Sequence, residues 1–464
     1  MHESGGGYLL VSSLIRRIRR RPALSPPHLF LYFSLLPNLH PSLVLFILPT
    51  IASARDLFSL FCGVSCNAFT VSDGELSPVG AGVYPKASLF NHSCAPNVVA
   101  IWDGAKVNMR TLAAVAAGDE LCIAYVDPLL PTARRRADLR EVYNFDCGCL
   151  RCVATTCQMG QLRKVAACGG LDEALPPVDG LGDEVVGDAD LGGTRSDVVA
   201  AAAGVNGAEA CDGNLGVAAL AEAAEELERL SEAYACPVGC DGGVADAVVG
   251  ADLSDADPDG PLDQAMDLIY DITCQRCGAT QTIPADEVQP LIGRATELVD
   301  SPEAQRLAGT PQPDPPSAQE ALSVLEAVGV VLGPTHFLVR ALRGMVIDAH
   351  VRDSAYGAAL EACTDLVTSL EAMAGSESVA ARSGLLPAHP LLGVELLRAG
   401  RLALWTQADP TEGNAVELLG RALAILKVTH GTSHPLYQAQ EEVYKNTLSL
   451  RQVLSSGLAS LLPN

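Results

Sequence analysis

Hydrophobic and polar positions follow different periods along this chain, and each period marks a different kind of segment. Between residues 63 and 153 the apolar positions come in short β-branched and aromatic runs: Phe69-Thr70-Val71, Asn97 to Trp102, Lys106 to Arg110 and Glu120 to Tyr125. Turn residues part them, among them Asp103-Gly104 and Gly118-Asp119. An Asp-Gly step between two such runs predicts a hairpin. The stretch as a whole is predicted to be a compact, sheet-rich unit. Beyond residue 317 the period becomes helical. Ala318–Val331, His336–Val351, Tyr356–Met373, Pro390–Thr406, Gly413–Thr429 and His434–Leu454 each carry apolar residues at helical spacing. Pro334, Pro390, Pro410 and Pro435 punctuate them. Paired helices of this length on short loops predict a repeat-like array; an irregular bundle would have the same periodicity.

Elsewhere the pattern is weaker. Residues 166–260 are rich in Ala, Gly and Asp and poor in aromatics. Such sequence buries little apolar surface and is predicted to be mostly linker, with one helical island from Val217 to Tyr234. At the N-terminus a basic cluster (Arg16, Arg17, Arg19, Arg20 and Arg21) precedes an apolar run from Leu29 to Ala54. Pro37, Pro41 and Pro49 break that run, so a membrane helix is a weak reading, membrane anchoring stands third behind the two functions below, and a membrane is not an expected partner. The leader reads as a targeting segment or as a disordered or artefactual extension. The predicted division is 1–62, leader; 63–153, sheet-rich unit; 154–316, acidic linker; 317–464, helical domain. The fold class is α+β.

Composition narrows the function. The 48% of hydrophobic residues suffices for more than one core. The net charge of −24, from 31 basic and 55 acidic residues, argues against direct nucleic-acid binding through phosphate contacts and suits basic protein partners by electrostatic steering. The 15 cysteines are too sparse for a disulfide scaffold. Their tight spacings favour thiolate zinc sites in a reducing compartment.

The densest chemistry lies in Asn91-His92-Ser93-Cys94-Ala95-Pro96-Asn97 and Phe145-Asp146-Cys147-Gly148-Cys149-Leu150-Arg151-Cys152. A CxCxxC cluster brings three thiolates together, and Cys94 is an upstream candidate for the fourth ligand of a tetrahedral zinc. The other reading is a set of buried, reduced thiols packing as small hydrophobes. A second set, Cys236-Pro-Val-Gly-Cys240 and Cys274-Gln-Arg-Cys277-Gly278, resembles the two knuckles of a zinc ribbon. The alternative is isolated surface or core cysteines.

Taken together, these strings resemble the C-terminal half of a SET domain with its post-SET cysteines, in the SET-and-MYND (SMYD) subfamily of protein lysine methyltransferases. The matching strings are Cys66-Asn67-Ala68-Phe69-Thr70, Gly80-Ala81-Gly82-Val83-Tyr84-Pro85, the string 91–97, Gly118-Asp119-Glu120-Leu121 with Ala124-Tyr125, and the string 145–152. Ala388-His389-Pro390-Leu391 through Leu402, and Lys427 through His434, are similar to the helical, TPR-like C-terminal domain of that subfamily, plant and algal members above all. Upstream of Cys66 the first SET segment and the MYND finger are not recognisable, so a half-built cofactor pocket is expected.

The resemblance implies a role for each matching position. Tyr125 matches the tyrosine at the methyl-transfer point, and Phe69 and Tyr143 match aromatics of the lysine channel. Asn67, Ser88, Asn91, His92 and Phe145 match residues around S-adenosyl-L-methionine, with the string 91–97 threaded past another segment as a pseudoknot. Cys94, Cys147, Cys149 and Cys152 match post-SET ligands of Zn2+. The implied reaction is methylation of a lysine on a histone or another basic protein. In-line transfer needs alignment first. An aromatic channel can hold a cationic stem, and desolvation favours the nucleophilic neutral amine. For Phe69 and Tyr143, spacing alone reads as core packing. The resemblance further implies a monomer in the nucleus or cytoplasm. The competing reading is a catalytically impaired SET remnant, a zinc-stapled platform whose helical domain binds a peptide partner.

Overall fold

The computed structural model describes Ser59 and residues 62–64, 66–156, 213–240, 244–251, 268–308, 315–375, 377–382, 386, 388–406 and 414–455. Residues 1–58 of the leader, including the run 29–54, lie outside the described residues, as do Cys157 and Cys168.

The sheet-rich unit begins with β1 (Ala68–Ser72) paired antiparallel to β2 (Pro78–Val83). Strands β4 (Val98–Asp103) and β5 (Lys106–Thr111) form the predicted hairpin, with Asp103 opposite Lys106 and Gly104 at φ +58° in the turn. A left-handed φ there favours glycine. Between these hairpins lie a 3-10 turn, Ala87–Leu89, and the two-residue strand β3 (Asn91–His92). The run 120–125 is shorter as a strand than its pattern predicts: only β6 (Cys122–Ile123) is extended, and it pairs parallel to β3. The Asn97 side chain takes over beside it, accepting from Cys122 N at 2.8 Å and donating to Glu120 O at 2.8 Å. The sequence pattern misses β2. Its Gly and Pro lower β propensity, and Val79 and Val83 stand exposed at its edge.

Helix α1 (Thr132–Tyr143) ends at Asn144, whose left-handed backbone (φ 59°) turns the chain out toward the cysteines. Helix α2 (Leu150–Thr156) carries the last of them. Residues 154–316, predicted as linker, contain α3 (Gly213–Ser231), a four-stranded antiparallel sheet and α4 (Ala285–Ala308). The strands are β7 (Tyr234–Ala235), β8 (Val244–Ala251), β9 (Leu268–Cys274) and β10 (Thr280–Pro284), in the order β10-β9-β8-β7. Helix α3 covers most of the predicted island from Val217 to Tyr234, whereas the sheet and α4 were not predicted. Small side chains still pack when backbones approach closely, and Ala221, Ala223, Ala224 and Ala245 are all buried.

The helical domain follows its predicted pattern closely: α5 (Ala318–Gly329), α6 (Phe337–Arg352), α7 (Tyr356–Ala374), α8 (Val379–Arg382), α9 (Pro390–Thr406), α10 (Ala415–Thr429) and α11 (Pro435–Ser455). Start signals explain the register. Ser317 caps α5 by accepting from Glu320 N at 3.2 Å, a capping-box spacing, and prolines open α9 and α11. Helices packed in chain order (α5 on α6, α6 on α7, α9 on α10, α10 on α11) form an array. Its main core is built from α3, α7, α9 and α10, around Leu227, Leu370, Leu397, Leu419 and Leu426. A second core joins the four-stranded sheet to α4–α6 through Ile272, Val288, Val324 and Leu342. No helix among the described residues is long and apolar enough to cross a membrane.

Candidate active site and cysteine centres

The string 91–97 is pinned where it crosses β6. Besides the parallel pairing, Ser93 N donates to Ile123 O at 2.9 Å and the Asn91 amide donates to Glu120 Oε1 at 2.6 Å. These contacts hold the string close alongside residues 120–123. Asn97 and Glu120, which sequence comparison left without a role, act as its clasps; two polar residues inside otherwise β-like strings were the available signal.

The clasp brings His92 and Tyr125 together. Tyr125 N donates to His92 Nδ1 at 3.0 Å. That bond makes Nδ1 an acceptor, so the ring proton sits on Nε2, which faces Cys94 Sγ at 3.2 Å. Burial lowers the His92 pKa to about 4, so the ring is neutral at pH 7 and donates to the sulfur. One imidazole thereby links the tyrosine backbone to a cysteine centre.

The Tyr125 hydroxyl donates to Phe90 O at 2.6 Å, and burial raises its pKa. The group therefore keeps its proton at neutral pH, commits it to a carbonyl, and leaves oxygen lone pairs for another partner. Tyr143 lies beside it, ring centroids 4.8 Å apart, and the Phe145 ring packs between His92 at 6.0 Å and Tyr143 at 6.5 Å. Phe69 belongs to a different ring group, with Tyr84 at 6.0 Å and Trp102 at 6.3 Å.

Both ring groups border one cavity of about 150 Å³. Phe69, Ser88, Trp102, Tyr125 and Tyr143 line it from the sheet-rich unit, and Ala388, His389 and Pro390 close it from the helical domain. Buried His389 stands 3.9 Å from Asp127, two residues past Tyr125. Asn67, Asn91, His92 and Phe145 stand outside this lining. Two of the expected cofactor residues act as chain ties: the Ser88 hydroxyl lies within bonding distance of Tyr84 O (3.0 Å) and Asn67 O (3.2 Å), and the Asn67 amide donates to Gly63 O at 2.7 Å. An adenosyl sulfonium needs an aromatic face, a hydrogen-bonding edge and a channel to its methyl group. Half-buried Phe145, the exposed Asn91 amide and the Tyr125–Tyr143 pair fit those needs.

The sulfurs of Cys94, Cys147, Cys149 and Cys152 lie within 4.8 Å of one another. Cys94 is 3.9 Å from Cys147 and 3.6 Å from Cys152. Zinc–sulfur bonds of about 2.3 Å in a tetrahedron set sulfur–sulfur edges of about 3.8 Å, so the donor set fits zinc. Charge supports the fit. Four thiolates around a divalent ion carry two net negative charges, and two fully buried guanidiniums, Arg135 and Arg151, stand against them. Arg151 donates to Cys94 O at 3.2 Å and also to Pro128 O, while Arg135 is held by Leu130 O, Thr132 and Glu228. The second group, Cys236, Cys240, Cys274 and Cys277, is equally close-set and could also hold a metal.

Residues 19–126 match the SET domain family, so the match reaches upstream of Cys66 into residues outside the description. The chain is similar to the histone-lysine N-methyltransferase SMYD3 of Mus musculus, 44% identical over 97 residues, or 21% of this chain and 23% of that protein. It is similar to SMYD3 of Homo sapiens, 43% over 99 residues (21% and 23%), and to the N-lysine methyltransferase SMYD2-B of Danio rerio, 43% over 96 residues (21% and 22%). The matched stretch spans under a quarter of the length of these relatives. They are vertebrate proteins and give no support to a plant or algal likeness.

Proposed function

We propose, from a SET domain of the SMYD type, that this chain is a protein-lysine N-methyltransferase using S-adenosyl-L-methionine on lysines of histones or other basic proteins, in the nucleus or cytoplasm. One observation carries the reading: Tyr125, whose hydroxyl proton is spent on Phe90 O, borders a largely apolar cavity with Phe69, Trp102 and Tyr143, beside the string 91–97. The cofactor supplies an electrophilic sulfonium methyl. The chain's own residues do the rest. Tyr125 offers an oxygen lone pair that can accept from the substrate amine and fix its approach. Tyr143 and Phe69 offer ring faces to the lysine stem. The largely apolar lining would desolvate a bound lysine, which favours the neutral, nucleophilic amine. Phe145 and Asn91 would hold the adenosyl end. Ala388 to Pro390 narrow the cavity from the helical side, so the helical domain filters substrates.

The test is transfer of labelled methyl to mixed core histones by the zinc-replete chain. Tyr125→Phe is expected to lower the rate at least ~100-fold, the scale of losing one oriented polar group in a transition state, while leaving cofactor binding within a few-fold. Binding without transfer in the wild-type chain would instead favour a non-catalytic scaffold.

A further inference from the structure

The second group of cysteines lies in the unit built from β7–β10 and α4–α6, which has its own core. Its sulfurs are all within 4.8 Å of one another, and the pairs Cys236–Cys277 and Cys240–Cys274 are each 3.6 Å apart. A disulfide needs about 2.05 Å, whereas a tetrahedral zinc tetrathiolate needs edges of about 3.8 Å. The spacing therefore suits a metal and not a bridge.

The backbone around the sulfurs is wired the same way. Cys236 and Cys240 sit on the turn between β7 and β8; Cys274 ends β9 and Cys277 sits on the turn that leads to β10. Each turn is closed by a glycine at positive φ: Gly239 (φ +64°) donates to Cys236 O at 2.9 Å, and Gly278 (φ +71°) to Cys274 O at 2.9 Å. A side chain at either position would strain the loop. The turns aim N–H groups inward, Cys240 and Val238 at Cys236, Arg276 and Cys277 at Cys274, and Ala279 at Cys277. N–H groups aimed at sulfur in this way complement metal-bound thiolates. Four thiolates this close repel unless a cation lies between them. An all-sulfur set selects a soft or borderline ion such as zinc over magnesium or calcium, and four protein ligands leave no open position for chemistry.

We infer that Cys236, Cys240, Cys274 and Cys277 hold a second Zn2+, a closed structural site independent of the cysteine centre beside Tyr125. On binding, each thiol releases its proton to solvent and forms one zinc–sulfur bond. The ion clips the β7–β8 and β9–β10 turns together at one end of the sheet. That sheet backs α4 and α6, and these helices reach the region after Tyr125: Asp300 of α4 pairs with Arg134 at 3.2 Å, and buried Arg340 of α6 donates to Leu129 O at 2.7 Å. The second zinc thus anchors the part of the helical domain that leans on the cavity loop.

Zinc content of the full chain tests the inference without reference to methyl transfer. Elemental analysis is expected to give about two equivalents for the wild type and about one each for Cys274→Ser/Cys277→Ser and Cys147→Ser/Cys149→Ser. One equivalent in the wild type, unchanged in the Cys274/Cys277 variant, would overturn it. Should a variant fail to fold, cobalt loading of the wild type decides the matter. Thiolate-to-cobalt absorption matching about eight cobalt–sulfur bonds supports the second site, and about four, or a mass showing these cysteines oxidised, removes it.

Discussion

At the scale of single residues, the site turns on His92. Its Nδ1 accepts from the Tyr125 backbone and its Nε2 faces Cys94, so the ring ties a candidate catalytic tyrosine to a candidate metal ligand. Partners of this kind set the orientation of first-sphere groups, and their loss typically costs about 10–100-fold in affinity or activity. His92→Ala is accordingly expected to lower methyl transfer by ~10–100-fold and to speed zinc loss to a chelator. Gln, which can present an acceptor and a donor, should restore part of both. Parallel chelator-competition and transfer assays check this. Sequence comparison placed His92 near the cofactor but could not reveal the bridge, because the three partners meet only after residues 92 and 125 are threaded side by side.

Among the elements, α9 and α10 pack through glycines. A Cβ on Gly400 would come within 2.8 Å of Leu419 Cδ2 and Cγ, and one on Gly393 within 2.9 Å of Ile425 Cγ2. Gly400→Val is expected to destabilise the chain by ~1–3 kcal/mol, as overpacking does. Gly344, in α6, has open space around its Cα, so Gly344→Ala is expected to stabilise by ~0.5–1 kcal/mol through helix propensity. Denaturant midpoints of the two variants separate these cases. The helices themselves were legible in the sequence because their apolar stripes and their Ser and Pro start signals agree. Strands β8–β10 were not: β8 is rich in Ala and offers little apolar contrast, β10 carries a single large apolar residue, Ile283, and the pairing of all three is non-local.

For the whole molecule, the Lys427–His434 segment docks the helical domain on the sheet-rich unit. Residues His430 and His434 approach Gly74 O and Trp102 O at 2.9 and 3.0 Å, Arg401 pairs with Glu75 at 2.6 Å, and Arg110 donates to Val428 O at 2.9 Å. Gly431, at φ +87°, leaves room for the Arg110 guanidinium. Burial lowers the His430 pKa to about 4, with His434 and Arg110 facing it adding to the effect. A folded value below the unfolded 6.5 means that stability is full above pH 6.5 and falls as the pH drops toward 4, because the unfolded chain takes up the proton first. Between pH 6.5 and 5 this one group costs up to ~2 kcal/mol. Thermal unfolding of the wild type should therefore steepen in that window relative to His430→Gln, a difference that subtracts the acid sensitivity of the cysteine sites.

Sequence alone determined which strings hold the cysteines and aromatics of the candidate site and where the helices run. Local spacing fixes a CxCxxC cluster, a hairpin turn or an amphipathic stripe within a few residues, with no help from the rest of the chain. Tertiary structure decided the remainder: that Cys94 completes the first cysteine set, that Phe69 and Tyr143 enter one cavity from different ring groups, that His389 comes from the far domain to wall it, and that the predicted linker holds a sheet gathered around four cysteines. Each of these is a contact between residues far apart in the chain. Such contacts arise from threading, close backbone approach and the burial of charge, and no window of sequence contains both partners.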